Sequence, residues 1–300
     1  MNLRLRGDDW FSKGDDYIHQ SEFSETRSRP YNSQMLLDAH THIDMYDDDI
    51  LPVVLDNIAR QQIFTLSVSI DVPSYQRAQR LATQSPYLVP TFGVHPWQAH
   101  HYADKLDSLA AYMAQTPLFG EIGLDFHFFK EPAHQIQQRA VFEFFLDAAT
   151  RQQKIVNLHT LRAEKEVLAQ LEVFRPPTPI VHWYAGRRSL IERYLAVGAY
   201  FSFGVELLFS KRLEKLLTDV PNDRLLTETD NPSAYRHFTK QSGMPSTVCQ
   251  VVAKIAELKQ MADVEVIEMV AENFSRLIAP VTAVSYKWHQ LRIDADKAIS

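Results

Sequence analysis

Residues 36–44 read LLDAHTHID, a short apolar run that closes on His40 and His42. In an extended strand, side chains two residues apart point the same way, so both imidazoles face one spot. Four more residues with metal-binding chemistry end similar runs: Glu121 in LFGEIGLDF, His159 in IVNLHT, His182 in PIVHWYAG and Asp230 in RLLTETDNP. A lone histidine is ordinarily a surface or satisfied core residue, and a lone Glu121 reads as a turn glutamate. Six such residues, each at the end of an apolar run, fit a different picture. Side chains at several strand ends converge on one point when parallel strands close into a barrel. Imidazole with carboxylate suits divalent transition ions, and the carboxylates also admit Mg or Mn.

The rest of the chain supports that reading. β-rich runs fall at 36–39, 63–70, 88–92, 118–122, 155–158, 179–181, 199–203 and 225–227. Segments of helical spacing lie between them; in 51–60, Leu51, Val54, Leu55 and Ile58 share one helical face. Strands alternating with helices imply βαβ units and a parallel sheet. The expected fold is α/β, a (β/α)8 TIM barrel with extra C-terminal helices, its active site at the C-terminal ends of the strands. The last helices are expected at 246–259 and 263–278. The barrel domain is placed at 35–279. Residues 1–34 are charged and lack hydrophobic periodicity, as a flexible or dispensable arm would be, with a natural start at Met35. Against that, Trp10, Phe11 and Tyr17 offer a tether to the domain surface. The tail, 280–300, reads equally as a packed helix or a loose end.

Composition narrows the function classes. With 31 Lys+Arg against 37 Asp+Glu, the net charge of −6 excludes a broad basic face for nucleic acid. Nucleic-acid ends or a small anionic substrate remain, because bound metal adds local positive charge. No apolar run reaches a membrane-spanning length and no secretory signal is visible, so a cytoplasmic location is the default. The one cysteine, Cys249, excludes an internal disulfide and reads as a helix-buried thiol.

Asp230 can bind an ion and also take a proton from the attacking water, and Glu121 can bridge two ions. Two ions about 3.5–4 Å apart would clamp the attacking and leaving oxygens of a phosphoester. The expected cofactors are thus two divalent ions (Mg, Mn or Zn), with Asp230 and Glu121 as the catalytic pair.

The motifs together resemble the TatD family of metal-dependent hydrolases, within the amidohydrolase-type barrels, over roughly residues 36–278. They are DAHTHID, FGVHPW, GEIGLDFHF, VHWYAG, TETDNP and ENFSRLI. The resemblance implies His40, His42, Glu121 and Asp230 around one ion, and Glu121, His159 and His182 around another. It also implies a nuclease, a 3′–5′ exonuclease or DNase working on single-stranded ends with metal-activated water. His95 in GVHP is similar to a family histidine that reaches substrate. Trp183 is placed to stack on a base or to pack the loops.

Two departures touch the substrate side. The family places an arginine two residues after the fifth-strand histidine; here Arg162 stands one place later. The stretch after Asp230, NPSAYRHFTKQSGMPST, also differs. A hydrolase of another ester, lactone or amide on the same barrel is therefore the first alternative. An idle metal-binding partner protein is the second, and the intact Glu121 and Asp230 count against it.

Overall fold

The computed structural model describes residues 34–297. The proposed arm falls, but for Gln34, outside the described residues. Eight strands and helices alternate: β1 Leu36–Thr41, α1 Leu51–Gln61, β2 Ile63–Val68, α2 Val72–Ala82, β3 Leu88–Thr91, α3 Ala110–Gln115, β4 Phe119–Gly123, α4 Pro132–Gln152. They continue as β5 Val156–His159, α5 Glu164–Phe174, β6 Pro179–His182, α6 Ile191–Ala196, β7 Tyr200–Phe203, α7 Lys211–Asp219, β8 Leu225–Thr227 and α8 Ser233–Thr239. Three further helices follow: α9 Thr247–Lys259, α10 Asp263–Ile278 and α11 Thr282–Lys297.

Every strand pairing is parallel, β1 through β3 in one run and β4 through β8 in another. A bridge from Phe92 to Phe119 joins the two runs. At the opposite seam Thr227 Oγ1 donates to Leu37 O at 2.6 Å, and Asp230 N–H to His40 O at 2.8 Å. Asp38 reinforces that seam, accepting from Thr229 N at 3.0 Å and Thr229 Oγ1 at 2.6 Å. The strands follow one another around the expected (β/α)8 barrel. They are buried almost throughout, as short apolar runs covered by helices should be. The helices turn one face inward, Leu51, Val54 and Ile58 in α1 and Leu213, Leu216 and Leu217 in α7. Burying each such side chain stabilises by about 1.5–3 kcal/mol.

Two glycines let the strand ends approach closely. A Cβ on Gly93 would lie 2.2 Å from Glu121 O, and one on Gly123, at φ 147°, would lie 1.9 Å from His159 O. Any side chain at either place would push β4 away from its neighbours.

The segment after residue 280 is a packed helix. Trp288 in α11 is fully buried against Phe64 and Phe274, at ring distances of 5.1 and 4.9 Å, and its Nε1 donates to Ser275 Oγ at 2.9 Å. Cys249 is buried in α9, where burial pushes its thiol up to about 11. Among the described residues, no helix is long and apolar enough to cross a membrane.

Trp288→Ala should cost about 3–5 kcal/mol of unfolding free energy, read as a fall in the urea midpoint. Tyr286→Ala, on the 70% exposed face of the same helix, should stay within about 0.5 kcal/mol. A Trp288→Ala effect as small as that of Tyr286→Ala would show that the α11 packing adds nothing to stability.

Candidate metal centre

The six residues meet at the C-terminal ends of the strands, all of them buried. His40 lies in β1 and His42 just beyond it, Glu121 in β4, His159 and His182 at the last positions of β5 and β6, and Asp230 after β8. Glu121 is the hub. Its Oε2 lies 3.4 Å from Nε2 of both His40 and His42. Its Oε1 lies 2.9 Å from His159 Nδ1 and 3.0 Å from His182 Nε2. Asp230 closes the first side, with Oδ1 3.2 Å from His42 Nε2 and 3.7 Å from His40 Nε2. Its backbone takes the left-handed conformation, φ 50°, which Asp tolerates better than most residues. The His40 and His182 rings stack at 3.7 Å, which draws the two sides together.

Hydrogen bonding identifies which nitrogen of His40 faces the centre. Asn157 Nδ2 donates to Ala39 O at 2.8 Å, which fixes the amide. Its Oδ1 therefore faces His40 Nδ1, at 2.9 Å, and must accept a proton from it. In the neutral ring, Nε2 then carries a lone pair. It is buried, has no hydrogen-bond partner, and points at the oxygens of Glu121 and Asp230. Acceptors facing acceptors in a buried site need a cation between them. The donor set of imidazole nitrogens and carboxylate oxygens fits a divalent transition ion. Among the described residues, three groups bring ligand atoms within 4.8 Å of one another: His40, His42 and Asp230; His40, His182 and Glu228; and His95, Glu121 and His159.

Three supporting residues were not singled out from the sequence as parts of the centre. Asn157 sets the His40 tautomer. Asp125 holds the far side of His159, its Oδ2 3.1 Å from Nε2, while also accepting from Trp97 Nε1 at 2.7 Å and Phe128 N at 2.9 Å. Glu228 stands 3.7 Å from His182 Nδ1 and accepts from Trp183 N at 2.9 Å and from Ser202. Such outer partners orient metal-binding imidazoles and raise their basicity. Asp125 had a signal, standing four residues after Glu121 in the same motif. Glu228 sits two before Asp230.

The electrostatics are those of a centre with surplus negative charge. Burial alone would lower the histidines, but the carboxylates outweigh it. Asp125 and Glu121 hold His159 up to about 9, and Glu121 with Glu228 holds His182 up to about 10. His42 is likewise raised, against burial, by Asp230 and Glu121. Burial favours the neutral acids, yet the surrounding histidines hold Glu121 and Asp230 below the usual carboxylate range. Asp125 is depressed against burial to about 2, chiefly by His159.

His95 reaches the same hub, its Nε2 3.4 Å from Glu121 Oε1. Its Nδ1 accepts from Trp97 N at 3.2 Å, so the neutral ring carries its proton on Nε2. Burial keeps it below the ordinary histidine value. Although close enough to ligate, His95 thus presents an N–H donor. Trp183 directly follows His182, partly buried, with its indole 6.4 Å from the His182 ring. Arg162 is exposed on the loop after β5, at φ 59°, and among the described residues its guanidinium has no hydrogen-bond or ion-pair partner. Tyr184, the next residue after Trp183, is a core residue packed on Tyr194 and Phe201.

The profile of the family described as TatD related DNase matches residues 37–279. The metal-dependent hydrolase YabD of Bacillus subtilis, itself uncharacterized, is 29% identical over 81% of this chain and 98% of its own length. The 3′-5′ ssDNA/RNA exonuclease TatD of Erwinia billingiae is 34% identical over 52% of this chain and 63% of its own. The crystal structure of the TatD homologue YjjV from Escherichia coli superposes with a TM-score of 0.73 at 22% identity, over 79% of this chain and 95% of that one. With this barrel and this histidine–carboxylate centre at the ends of its strands, the chain belongs to the TatD family and is a metal-dependent hydrolase.

Proposed function

We propose that the protein is a phosphodiesterase acting on the ends of single-stranded nucleic acid, a 3′–5′ exonuclease or DNase. The observation that carries this reading is the division of Glu121, whose two oxygens face two separate sets of histidines. That is the arrangement of a bridging carboxylate, and a two-ion centre suits displacement at phosphorus. The exonuclease name of the Erwinia relative points the same way. A strand end also suits a chain of net charge −6, since it needs only local anchoring.

In this reading His40, His42, Glu121 and Asp230 would hold one divalent ion, and Glu121, His159 and His182 would hold a second, drawn from Mg, Mn or Zn. When bound, such ions lower the pKa of water and offset charge developing on phosphoryl oxygens. Asp230, kept ionised by its histidines, accepts the proton of the attacking water. His95 donates its Nε2–H to a phosphoryl oxygen, and burial keeps it neutral for that role. Asp125, Asn157 and Glu228 keep the histidines aimed.

Fluorescent single-stranded oligonucleotides, tested beside ester, lactone and amide panels with Mg, Mn and Zn, decide the reaction. Turnover confined to the second set would replace the nuclease reading with hydrolysis of another bond on the same centre.

Asp230→Asn keeps an oxygen ligand but is a far poorer base, so kcat should fall by about 10²-fold or more with metal content largely kept. His40→Ala should lose metal and activity together, followed by elemental analysis. Near-full kcat in Asp230→Asn with metals bound would move the base elsewhere.

The raised histidines also make metal binding a proton exchange. At pH 7, His159 (about 9) and His182 (about 10) lie below their values and carry protons that an entering ion must displace. Affinity should therefore fall between pH 8 and pH 6, by about tenfold per pH unit for each proton displaced. Calorimetry in buffers of different ionisation enthalpy counts the released protons; binding without proton release would remove both histidines from the ligand set.

A further inference from the structure

Glu206 lies in the 3-10 turn Val205–Leu208 that follows β7, at the same end of the barrel as the centre. Its carboxylate is 1% exposed and takes no part in the reaction proposed above. A buried carboxylate needs partners, and two of its partners come from neighbouring elements. Trp183 Nε1 donates to its Oε2, and Arg212 Nη2 stands 3.9 Å from its Oε1. Arg212 lies in the first turn of α7, and its Nη1 donates to Ala185 O at 2.5 Å. Its side chain is still 41% exposed, leaving part of the guanidinium fork open to solvent.

The indole is held from several directions. Trp183 takes the left-handed conformation at φ 41°, and its backbone N–H donates to Glu228, which faces His182. Phe238 packs beside it at 6.4 Å and is itself stacked on Phe209 at 4.8 Å. These aromatics form a small cluster with Val205, Leu208 and Ala234, and Trp183 also packs against the main core. The result is a braced, half-buried aromatic plane beside a metal-centre histidine, with a cation set next to it by the same carboxylate.

We propose that Glu206 is a positioning residue that holds Trp183 and Arg212 as a nucleotide cradle, Trp183 stacking on a base and Arg212 pairing with a phosphate away from the cleaved bond. The assignment rests on the reading that the substrate is a nucleic-acid end. Stacking on an indole tolerates any base, so the cradle selects for a nucleotide without selecting its sequence. The exposed edge of Arg212 supplies the local anchoring that a strand end needs on an acidic chain.

The test is equilibrium binding by fluorescence anisotropy, with the full-length chain loaded with Mn. The ligands are five-nucleotide single strands whose phosphorothioate linkages block cleavage, carrying bases or abasic sites at the terminal positions. Wild type should prefer the base-bearing strand by about tenfold, and Trp183→Ala should erase that preference while leaving abasic binding unchanged. Arg212→Ala should weaken both strands and lower the slope of log affinity against log salt by about 0.7. Glu206→Gln, which keeps an acceptor for the indole, should retain base preference, and Glu206→Ala should lose it. Absent or equal binding of the two strands by wild type, or a Trp183→Ala defect of the same size on both, would overturn the cradle. Base-preferring binding without cleavage of unprotected strands under any metal would instead overturn the nuclease reaction and leave the cradle standing.

Discussion

The structure turns on one crowded meeting: buried imidazoles and carboxylate oxygens aimed at one another around Glu121. Such an arrangement is costly unless positive charge stands between the groups, whether protons or metal ions. Many of the contacts nearby serve to maintain it. Asn157 fixes the His40 ring and Asp125 fixes His159, while Glu228 sets a carboxylate 3.7 Å from His182 Nδ1. The two glycines at 93 and 123 let the backbone close in, so that groups from five strands reach one point.

The barrel was legible because its strands are short, apolar and evenly interleaved with amphipathic helices. Each expected strand starts and ends within two residues of the observed one. The six central residues were legible because ligand chemistry stands out against an apolar run. Their supports were not. Asn157 lies inside β5 between apolar neighbours, and nothing in sequence shows that its amide faces across the barrel to β1. Asp125 and Glu228 look like ordinary loop carboxylates until the fold buries them.

The substrate side was the least legible. Arg162 attracted attention by its place in the chain, yet its side chain projects from an exposed left-handed turn. Arg212 and Glu206 drew none, because their meeting with Trp183 depends on segments after β6 and β7 that are neighbours only once the two strands lie side by side. Loops that follow strands carry specificity through such meetings, and sequence spacing says little about them. The tail was undecidable for a related reason: Trp288 could be read as packed or exposed until Phe64 and Phe274 were seen on either side of it.

The seam between the first strand and the last has a temporal meaning. His40 lies in β1 and His42 just after it, whereas Asp230 follows β8 and is tied to β1 through its own N–H, with Thr229 gripping Asp38 beside it. During synthesis the chain emerges N-terminus first, so the histidines exist well before their carboxylate partner is made. A nascent barrel carries an open edge and an unfinished ligand set. The cluster is completed by the same event that joins the two ends of the sheet, so its full geometry is a late property of folding.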